Sequence, residues 1–280
     1  KLIPESKAIY LKGYNKDISD FLEKAKKLYP YNYHLYCFMG AIGMQKSLSE
    51  QENISDAQIL SQITVLNQDF RKLLGTPGYN TNAVGADVQI EFCMAQRKPD
   101  GTATTGIDRV TKTSASYITM ASVETVKAAT IWDPTQYFNI WVVGNMSSIL
   151  GYATFPESAG QWDDGVVLAS KYTGVTGATA PYNLGRTASH EVGHWMNLRH
   201  IWGDASCGND LVDDTPVHKT SNFGVPVYPY VSTCLPAHNE MTMNYMDYTD
   251  DRGMYMFTNG QKARMSALFV NGGARAAFGI

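Results

Sequence analysis

Residues 190–200 read HEVGHWMNLRH, and they contain three of the six histidines in the 280-residue chain. His190 and His194 are four residues apart, so on a helix their side chains lie one turn apart on the same face. Two imidazoles in this arrangement can bind one zinc ion. Glu191 lies beside the first imidazole and can accept a proton from a metal-bound water without being a ligand itself. The segment therefore predicts a helical metal site with an adjacent general base.

His200 lies six residues beyond His194, and a continuous helix would carry it away from the metal. If the helix ends near Asn197, the chain can turn and bring His200 back as a third ligand. Asn is the best non-glycine residue for the left-handed backbone conformation that such a turn needs. A pair of histidines at helical spacing arises by chance in some unrelated helices. A third histidine in the same window favours a three-histidine zinc site.

The segment resembles the zinc signature of the metzincin metalloproteases, His-Glu-x-x-His-x-x-Gly-x-x-His, with Asn197 in place of the glycine. This departure resembles the pappalysin/cytophagalysin branch. Three further stretches are similar to that branch, namely residues 182–190, 244–251 and 257–265. The resemblance covers about residues 31–275, and it implies a secreted zinc endopeptidase with one catalytic zinc ion.

The resemblance also implies roles for residues outside the histidine motif. Met246 would be the methionine of the Met-turn beneath the three histidines, whereas without the zinc motif it would be an ordinary core residue. Tyr248 would approach the metal and stabilise the oxyanion. An upper edge strand would pair with an extended peptide substrate through its backbone, and its residues here are Gly151, Tyr152, Ala153 and Thr154. An edge strand with no such role is the alternative.

The expected mechanism follows from this ligand set. Three neutral imidazoles leave zinc an open position for water, and the metal lowers the pKa of that water to about 7. Glu191 would take the proton while the hydroxide attacks a peptide carbonyl, and would later pass it to the leaving amine. Tyr248 and the zinc would stabilise the tetrahedral oxyanion.

Acidic residues follow the Met-turn. In metzincins this part of the chain walls the main specificity pocket on the leaving-group side, where an uncompensated carboxylate would favour Arg or Lys in the substrate. Asp251 is the first candidate, because it lies far enough along to reach the pocket floor. The alternatives are a solvated acidic turn or pairing with Arg252.

A second acidic cluster lies in the loop that follows the motif, at Asp204, Asp210, Asp213 and Asp214. The family resemblance suggests a structural calcium ion here, with Asp210 and Thr215 as ligands. No EF-hand pattern is present, and a solvated acidic loop is the alternative.

Four cysteines are too few for a disulfide scaffold but permit one or two bridges. Cys207 and Cys234 bracket the acidic loop, and a disulfide between them would remove roughly 3–4 kcal/mol of unfolded-chain entropy in the loop-closure model. We expect this bridge in an oxidising compartment. Cys37 and Cys93 lie in apolar segments and are expected to be buried free thiols.

The wider pattern predicts an α/β (α+β) fold. Strand patterns occupy residues 31–43, 88–95, 138–143, 151–155 and 166–169. Helical patterns occupy residues 123–132, 184–198 and 258–270, and another begins at the cap Ser55, with Gln58 completing a capping box, and ends before Gly75. We expect an upper subdomain, about residues 31–196, with a mixed twisted sheet and helices. A loop-rich lower subdomain, about residues 197–280, would end in a helix. Residues 1–30 read as an N-terminal extension or pro-segment remnant.

The composition limits the kinds of molecule that the protein is expected to bind. The net charge is −3 and no Lys/Arg-rich block stands out, which argues against nucleic acid. No apolar run approaches the roughly 18 residues that a membrane-spanning helix requires. We expect a monomer that acts on proteins or peptides, whose targeting sequence is missing from view. Two other readings stay open: a latent or catalytically silent zinc-binding protein of the same fold, and a zinc hydrolase of a non-protein amide. An intact Glu191 argues against the silent form.

Overall fold

The structure, a computed structural model, describes residues 37–46, 53–111, 120–144 and 146–278. Six strands form the main sheet: β1 (Cys37–Lys46), β2 (Glu91–Met94), β3 (Ile107–Thr111), β4 (Phe138–Val143), β5 (Gly151–Ala153) and β6 (Val166–Ala169). The described α-helices are α1 (Asp56–Phe70), α2 (Met120–Thr130), α3 (Arg186–Trp195) and α4 (Asn259–Ser266). A small ribbon is made of β7 (Tyr230–Val231) and β8 (Asn239–Glu240).

The main sheet is mixed, as predicted. β1 pairs in parallel with β4 along one side and with both β2 and β3 along the other. β6 continues the parallel sheet beyond β4, and β5 is added antiparallel to β6 at the edge. The predicted edge position of β5 is therefore confirmed, and Pro156 follows the strand directly, as suits an edge.

Helices cover both faces of this sheet. The strand β4 is buried at all six positions, which is typical of a parallel strand between two layers. Its residues Phe138, Ile140 and Val142 pack with α1 and α3, whereas Trp141 and Val143 pack with α2 on the opposite face. The motif helix α3 therefore lies in the core, beneath β5 and β6.

The start of α1 has one of the two hydrogen bonds of the predicted capping box. The hydroxyl of Ser55 accepts a hydrogen bond from the backbone N–H of Gln58, as a capping residue does. The side chain of Gln58 is directed elsewhere, because it donates to the backbone oxygens of Ser170 and Thr173. The predicted reciprocal bond of a capping box is replaced by a tertiary contact, and the helix ends at Phe70.

The described chain after α3 has little regular structure, and a disulfide joins two of its loops. Cys207 and Cys234 form the predicted bridge, with their Cα atoms 5.8 Å apart. The expectation of a free thiol at Cys93 is wrong, because Cys93 is also disulfide-bonded. An apolar strand environment buries a disulfide as readily as a thiol, so burial could not distinguish the two. The side chain of Cys37 lies outside the described residues.

Two predictions fall partly or wholly on residues that are not described. The first strand was expected over residues 31–43, and the described strand spans Cys37–Lys46. The extension at residues 1–30 lies outside the described ranges. The strand β3 was not predicted, because its sequence IDRVT carries two charged residues in five and shows no clear alternation. None of the described helices has the length and apolar character needed to cross a bilayer.

Candidate active site

The helix α3 ends in a left-handed turn at Asn197, as the sequence predicts. Asn197 has a φ of +74°. The N–H of Leu198 donates to Gly193 O at 2.8 Å, and the N–H of Asn197 donates to His194 O at 2.9 Å. This pair of bonds is the Schellman arrangement. The turn reverses the chain and returns His200 to the two histidines of the helix.

The three histidines converge on one point. The Nε2 atom of His194 lies 3.1 Å from Nε2 of His190 and 3.1 Å from Nε2 of His200. Ligands at 2.0–2.1 Å in a tetrahedral zinc site stand about 3.4 Å apart, so the spacing fits such an ion. Among the residues that the structure describes, this is the only group of three or more His, Cys, Asp or Glu side chains placed to hold a metal.

Hydrogen bonds fix the tautomer of each imidazole. Every Nδ1 atom faces an acceptor: Tyr245 O at 2.7 Å for His190, Leu198 O at 2.8 Å for His194, and Asp204 Oδ1 at 2.5 Å for His200. Each ring therefore carries its proton on Nδ1 and directs its Nε2 lone pair at the common point. Three lone pairs facing one another repel unless a cation lies between them, so the residues fit a divalent metal ion.

Burial keeps the two helical imidazoles neutral. Desolvation lowers the pKa of His190 well below its usual range, and it lowers the pKa of His194 to about 4. Neutral imidazole is the form that binds metals. These two imidazoles are therefore ready to bind a cation at neutral pH.

Glu191 lies against the edge strand β5. The side chain is 8% exposed, and burial raises the pKa of its carboxyl to about 8. Gly151 faces it so closely that a Cβ atom at this position would lie 2.9 Å from Glu191 Cγ and 3.2 Å from Glu191 Oε1. The absence of a side chain at position 151 therefore leaves room for the glutamate.

Tyr248 reaches the same point from the opposite side. Its hydroxyl oxygen lies 3.0 Å from Nε2 of His200, and its ring contacts the rings of His190 and His200. The side chain is 37% exposed, so it borders both solvent and the histidines. Desolvation raises the pKa of the Tyr248 hydroxyl to about 12, which keeps it a hydrogen-bond donor at neutral pH.

Met246 is fully buried against the motif helix. A Cβ atom at Gly193 would lie 2.4 Å from Met246 Sδ, so the thioether occupies the space that this glycine leaves between the two helical histidines. The N–H of Met246 donates to Asn244 Oδ1 at 2.9 Å. Asn244 in turn exchanges two side-chain hydrogen bonds with Gln261 of α4, at 2.8 and 3.0 Å. The turn beneath the histidines is thus tied to the last helix.

A cleft of about 330 Å³ opens beside Glu191 and Tyr248. Asp251 lines it, as expected for a residue of the pocket, but its carboxylate is not free. Its Oδ2 atom accepts from the N–H groups of Leu184 and Arg186 at 2.7 and 3.2 Å. Asp251 is 2% exposed, and burial raises the pKa of its carboxyl. It is therefore neither a solvated turn residue nor a surface partner of Arg252.

Sequence reasoning missed several residues of the cleft wall. They include Arg186, Thr187 and Phe223. Arg186 is buried and pairs with Asp69 of α1 at 3.0 Å, a contact across 117 residues that no local pattern could signal. Thr187 lies on α3 one turn before Glu191, and this spacing could have placed it at the cleft.

The edge strand β5 presents its backbone to the cleft. Gly151 and Ala153 pair with Leu168 and Val166 of β6, and no second strand covers the other edge of β5 in the described part of the chain. The side chain of Tyr152 points to the opposite face, where its hydroxyl donates to Glu124 at 2.8 Å. The N–H of Thr154 donates to Gly165 O at 3.0 Å and Leu150 O accepts from Ala169 at 2.8 Å, so residues 150, 152 and 154 turn their backbone groups toward β6. Of the four residues expected to bind substrate here, Gly151 and Ala153 are therefore the two whose backbone faces the other edge.

The second acidic cluster divides into three separate contacts. Asp204 pairs with His200, and Asp214 accepts from Thr258 and Gly260 at the start of α4. Asp210 and Thr215 are together, with the Thr215 hydroxyl 2.9 and 2.8 Å from the two carboxylate oxygens. Burial raises the pKa of Asp210 to about 6. The structure thus brings the two predicted calcium ligands side by side and separates the remaining acids.

The chain is similar to known metalloproteases in sequence. A family model described as pregnancy-associated plasma protein-A matches residues 121–270. An extracellular metalloprotease of Pyricularia oryzae is 33% identical over 226 residues, which cover 78% of this chain and 68% of the relative. An extracellular metalloprotease of Verticillium alfalfae is 40% identical over 143 residues, which cover 48% of this chain and 50% of the relative. The chain thus spans half the length of this last relative.

Solved structures extend the similarity to the fold. Mature mirolysin of Tannerella forsythia in complex with a cleaved peptide matches with a TM-score of 0.81 and 40% identity, over 90% of this chain and 97% of that chain. A variant of promirolysin from the same organism matches with a TM-score of 0.80 and 37% identity, over 98% of this chain and 92% of that chain.

Proposed function

The chain belongs to the pappalysin family and is a zinc metalloendopeptidase with a metzincin-like fold, and on this premise we propose how it cleaves, what it prefers and where it acts. Glu191 is the general base, Tyr248 stabilises the oxyanion, and β5 binds the substrate. The enzyme is secreted, acts as a monomer and prefers Arg or Lys on the leaving-group side. One observation carries the proposal: three Nε2 atoms, a buried carboxyl and a tyrosine hydroxyl surround one point beside a strand edge that no described strand covers.

The zinc ion would be held by His190, His194 and His200. When bound, it would supply a Lewis acid that lowers the pKa of a water molecule to about 7, and its charge would offset the effect of burial on Glu191. Glu191 then accepts a proton from the attacking water and later donates it to the leaving amine. Its buried position against Gly151 limits the orientations of the carboxyl, so the proton acceptor stays close to the reacting atoms.

Tyr248 and β5 act on the substrate. The Tyr248 hydroxyl donates a hydrogen bond to the oxygen that becomes negative as water attacks. The backbone of Gly151 and Ala153 pairs with an extended peptide and adds it to the sheet as a further strand, while Thr154, which bonds to Gly165, holds the end of β5 in place. This pairing sets the scissile bond across Glu191, because the Glu191 side chain fills the space that a side chain at Gly151 would occupy.

Asp251 supplies the basic preference. Its carboxylate lines the cleft and is held in place by the backbone of Leu184 and Arg186. A fixed, buried negative charge favours a guanidinium or ammonium group that enters the cleft. Asp251→Asn keeps an acceptor for the same backbone groups and removes the charge, so it tests the charge alone.

Two further parts of the proposal concern the regions around the catalytic centre. We propose that Asp210 and Thr215 bind a structural calcium ion, which would neutralise the buried carboxylate. We also propose that residues 1–30 are a remnant of a pro-segment. The promirolysin match covers 98% of this chain and the mature mirolysin match covers 90%, a difference that is consistent with a pro-segment remnant. Removal of residues 1–30 is then expected to raise kcat without changing the zinc content.

The test is cleavage of fluorogenic peptides that carry Arg, Lys, Leu or Ala on the leaving-group side, with and without a zinc chelator. We expect chelator-sensitive cleavage, fastest with Arg and Lys. Glu191→Ala is expected to lower kcat by about 10²–10⁴-fold without changing the zinc content. The control Glu157→Ala, at an exposed residue, is expected to leave kcat unchanged. Asp251→Asn is expected to remove the basic preference.

Other results would contradict the proposal. Cleavage that survives both the chelator and Glu191→Ala would exclude the mechanism. Hydrolysis of a small amide or ester with no peptide cleavage would favour a non-protein substrate. One bound zinc ion per chain with no hydrolysis at all, even after removal of residues 1–30, would favour a silent binding protein.

A further inference from the structure

Arg264 of α4 contacts the turn that ends α3 through two hydrogen bonds. Its Nε atom donates to the backbone oxygen of Asn197 at 2.6 Å, and its Nη2 atom donates to Asn197 Oδ1 at 3.3 Å. The planar guanidinium presents its donors in a rigid fork, so it can fix two acceptors relative to each other. The backbone and the side chain of Asn197 are therefore held together by one residue from another helix.

This turn controls two of the three histidines. Leu198, which follows Asn197, offers the carbonyl that accepts from Nδ1 of His194 at 2.8 Å. His200 lies two residues further along the reversed chain. A rotation of the backbone at Asn197 would therefore move the acceptor that orients His194 and also the segment that carries His200.

The helix that carries Arg264 is itself fixed to the floor of the site. Thr258 and Gln261 form a complete capping box at the start of α4. Gln261 also exchanges two hydrogen bonds with Asn244, whose Oδ1 atom accepts from the N–H of Met246. The helix α4 thus joins the turn below the histidines to the turn beside them.

We propose that Arg264 and Asn197 act as a pair that positions His194 and His200 for the metal. Glycine, which the broader zinc signature has at this place, adopts the left-handed conformation freely but has no side-chain oxygen for Arg264. Asn197 adopts the same conformation and adds the second acceptor. Arg264 is a positioning residue and does not touch the metal. The proposal rests on the zinc site of the proposed function.

The test compares metal binding in five variants of the full chain with the unchanged protein. Zinc affinity is measured by competition with a chromophoric chelator, and coordination geometry by the visible spectrum of the Co²⁺-substituted protein. Arg264→Ala is expected to weaken zinc binding about 10-fold, the size seen when outer-shell partners of metal ligands are removed, and to alter the Co²⁺ spectrum. Arg264→Lys keeps one hydrogen-bond donor but not the fork, so its zinc affinity should lie between those of Arg264→Ala and the unchanged protein.

Asn197→Gly tests the pairing. It is expected to weaken zinc binding less than Arg264→Ala, because the carbonyl bond and the left-handed turn remain. When Asn197→Gly is already present, adding Arg264→Ala should reduce zinc affinity by a smaller factor than Arg264→Ala does in the unchanged protein. The matched control is Lys262→Ala on the same helix, which removes a 2.7 Å bond to Gln89 and should leave zinc affinity unchanged.

Three results would refute either the positioning role of Arg264 or the proposed zinc site, and they distinguish the two claims. Zinc affinity and a Co²⁺ spectrum unchanged in Arg264→Ala would refute the positioning role. An equal loss of zinc affinity in Lys262→Ala would show that the effect comes from the packing of α4 in general, and it would also refute the positioning role of Arg264. If Arg264→Ala does not fold, Arg264→Lys decides by the same criteria. Failure of the unchanged protein to bind zinc would instead refute the proposed function.

Discussion

The described residues on the two sides of α3 share one apolar core but differ in what else holds them in place. Up to α3, helices pack on both faces of a sheet, and the central strand β4 is buried at every position. After α3, short turns are joined by a disulfide and by buried polar groups. Asn222, for example, donates from Nδ2 to Glu240 and to Asp247 at 2.9 Å each. Residues after α3, such as Met246, Met256 and Phe257, belong to the same apolar core as the first part, so the second part adds the disulfide and specific hydrogen bonds to apolar burial.

This difference matters for the site, because each part supplies different components. The layered part provides α3 and the strand β5, which hold the first two histidines, Glu191 and the uncovered edge. The loop-rich part provides His200, Met246 and Tyr248, which must meet the helix from outside. A buried polar network specifies one arrangement when every member is satisfied. We infer that the loops reach the precision of the site through such networks and not through regular structure.

The largest expected effect comes from breaking the contact between the two parts. Arg275, near the end of the described chain, forms two bonds to Asp164 at 2.7 and 2.9 Å and stacks on Trp195 of α3. Both charged side chains are 2% exposed. Arg275→Ala leaves the Asp164 carboxylate buried without its cation, so we expect a loss of about 3–5 kcal/mol in the free energy of unfolding, measured in urea.

The control for this prediction is Arg252→Ala, which removes an exposed arginine and should change stability by less than about 0.5 kcal/mol. The double variant Arg275→Met with Asp164→Asn removes both charges, and it should recover part of the loss. Equal stability of Arg275→Ala and the unchanged protein would show that the pair does not hold the two parts together.

The next effect tests the loop-rich part alone. Replacing Cys207 and Cys234 by Ser is expected to cost about 2–5 kcal/mol. Because the bridge joins only loops after α3, hydrogen exchange should accelerate around residues 207–234 while β4 keeps its protection. Equal acceleration in β4 would mean that the two parts unfold as one unit.

The sequence predicted the parts of the site that have local periodicity or family motifs. The i, i+4 histidines, the left-handed Asn197, the edge strand β5 and the Cys207–Cys234 bridge all lie where the sequence placed them. Local sequence patterns predict which side of a helix or strand is buried and where turns occur, because both depend on residues that are close in the sequence. The long β4 was predicted at its observed bounds for the same reason.

The contacts that the sequence did not predict join distant residues. Asp69 meets Arg186 across 117 residues, and Asn197 meets Arg264 across 67. Such pairs depend on how elements pack, and neither residue carries a local signal of its partner. The bonded state of Cys93 was missed as well, since the apolar character of its strand is the same for a thiol and for a disulfide. Buried polar partners are thus the part of the site that requires the structure.

Gly151 tests how closely the layered part constrains the general base. A methyl group at this position would lie 2.9 Å from Glu191 Cγ and 2.9 Å from the backbone oxygen of Val167 in β6, so Gly151→Ala should displace the carboxyl and also shift β5. A displacement of about 1 Å can cost about 10²-fold in rate, and we expect a fall of this order in kcat with a smaller rise in KM. The control is Gly253→Ala, where the nearest atom lies at an ordinary 3.5 Å. A rise in KM alone would show that Gly151 acts only on substrate binding.

The smallest effect concerns the proposed calcium ion in the loop-rich part. Burial raises the pKa of Asp210 to about 6, so without a cation its ionisation opposes folding, and its contribution to stability is lost as the pH rises through 6. Calcium requires the ionised carboxylate and offsets this loss, so added calcium should raise the Tm at pH 8 and have little effect at pH 5. At a hundredfold excess over its Kd the gain is about 2.7 kcal/mol. Asp210→Asn should abolish the gain and the exposed Asp213→Asn should keep it, whereas an equal gain at both pH values would place the ion elsewhere.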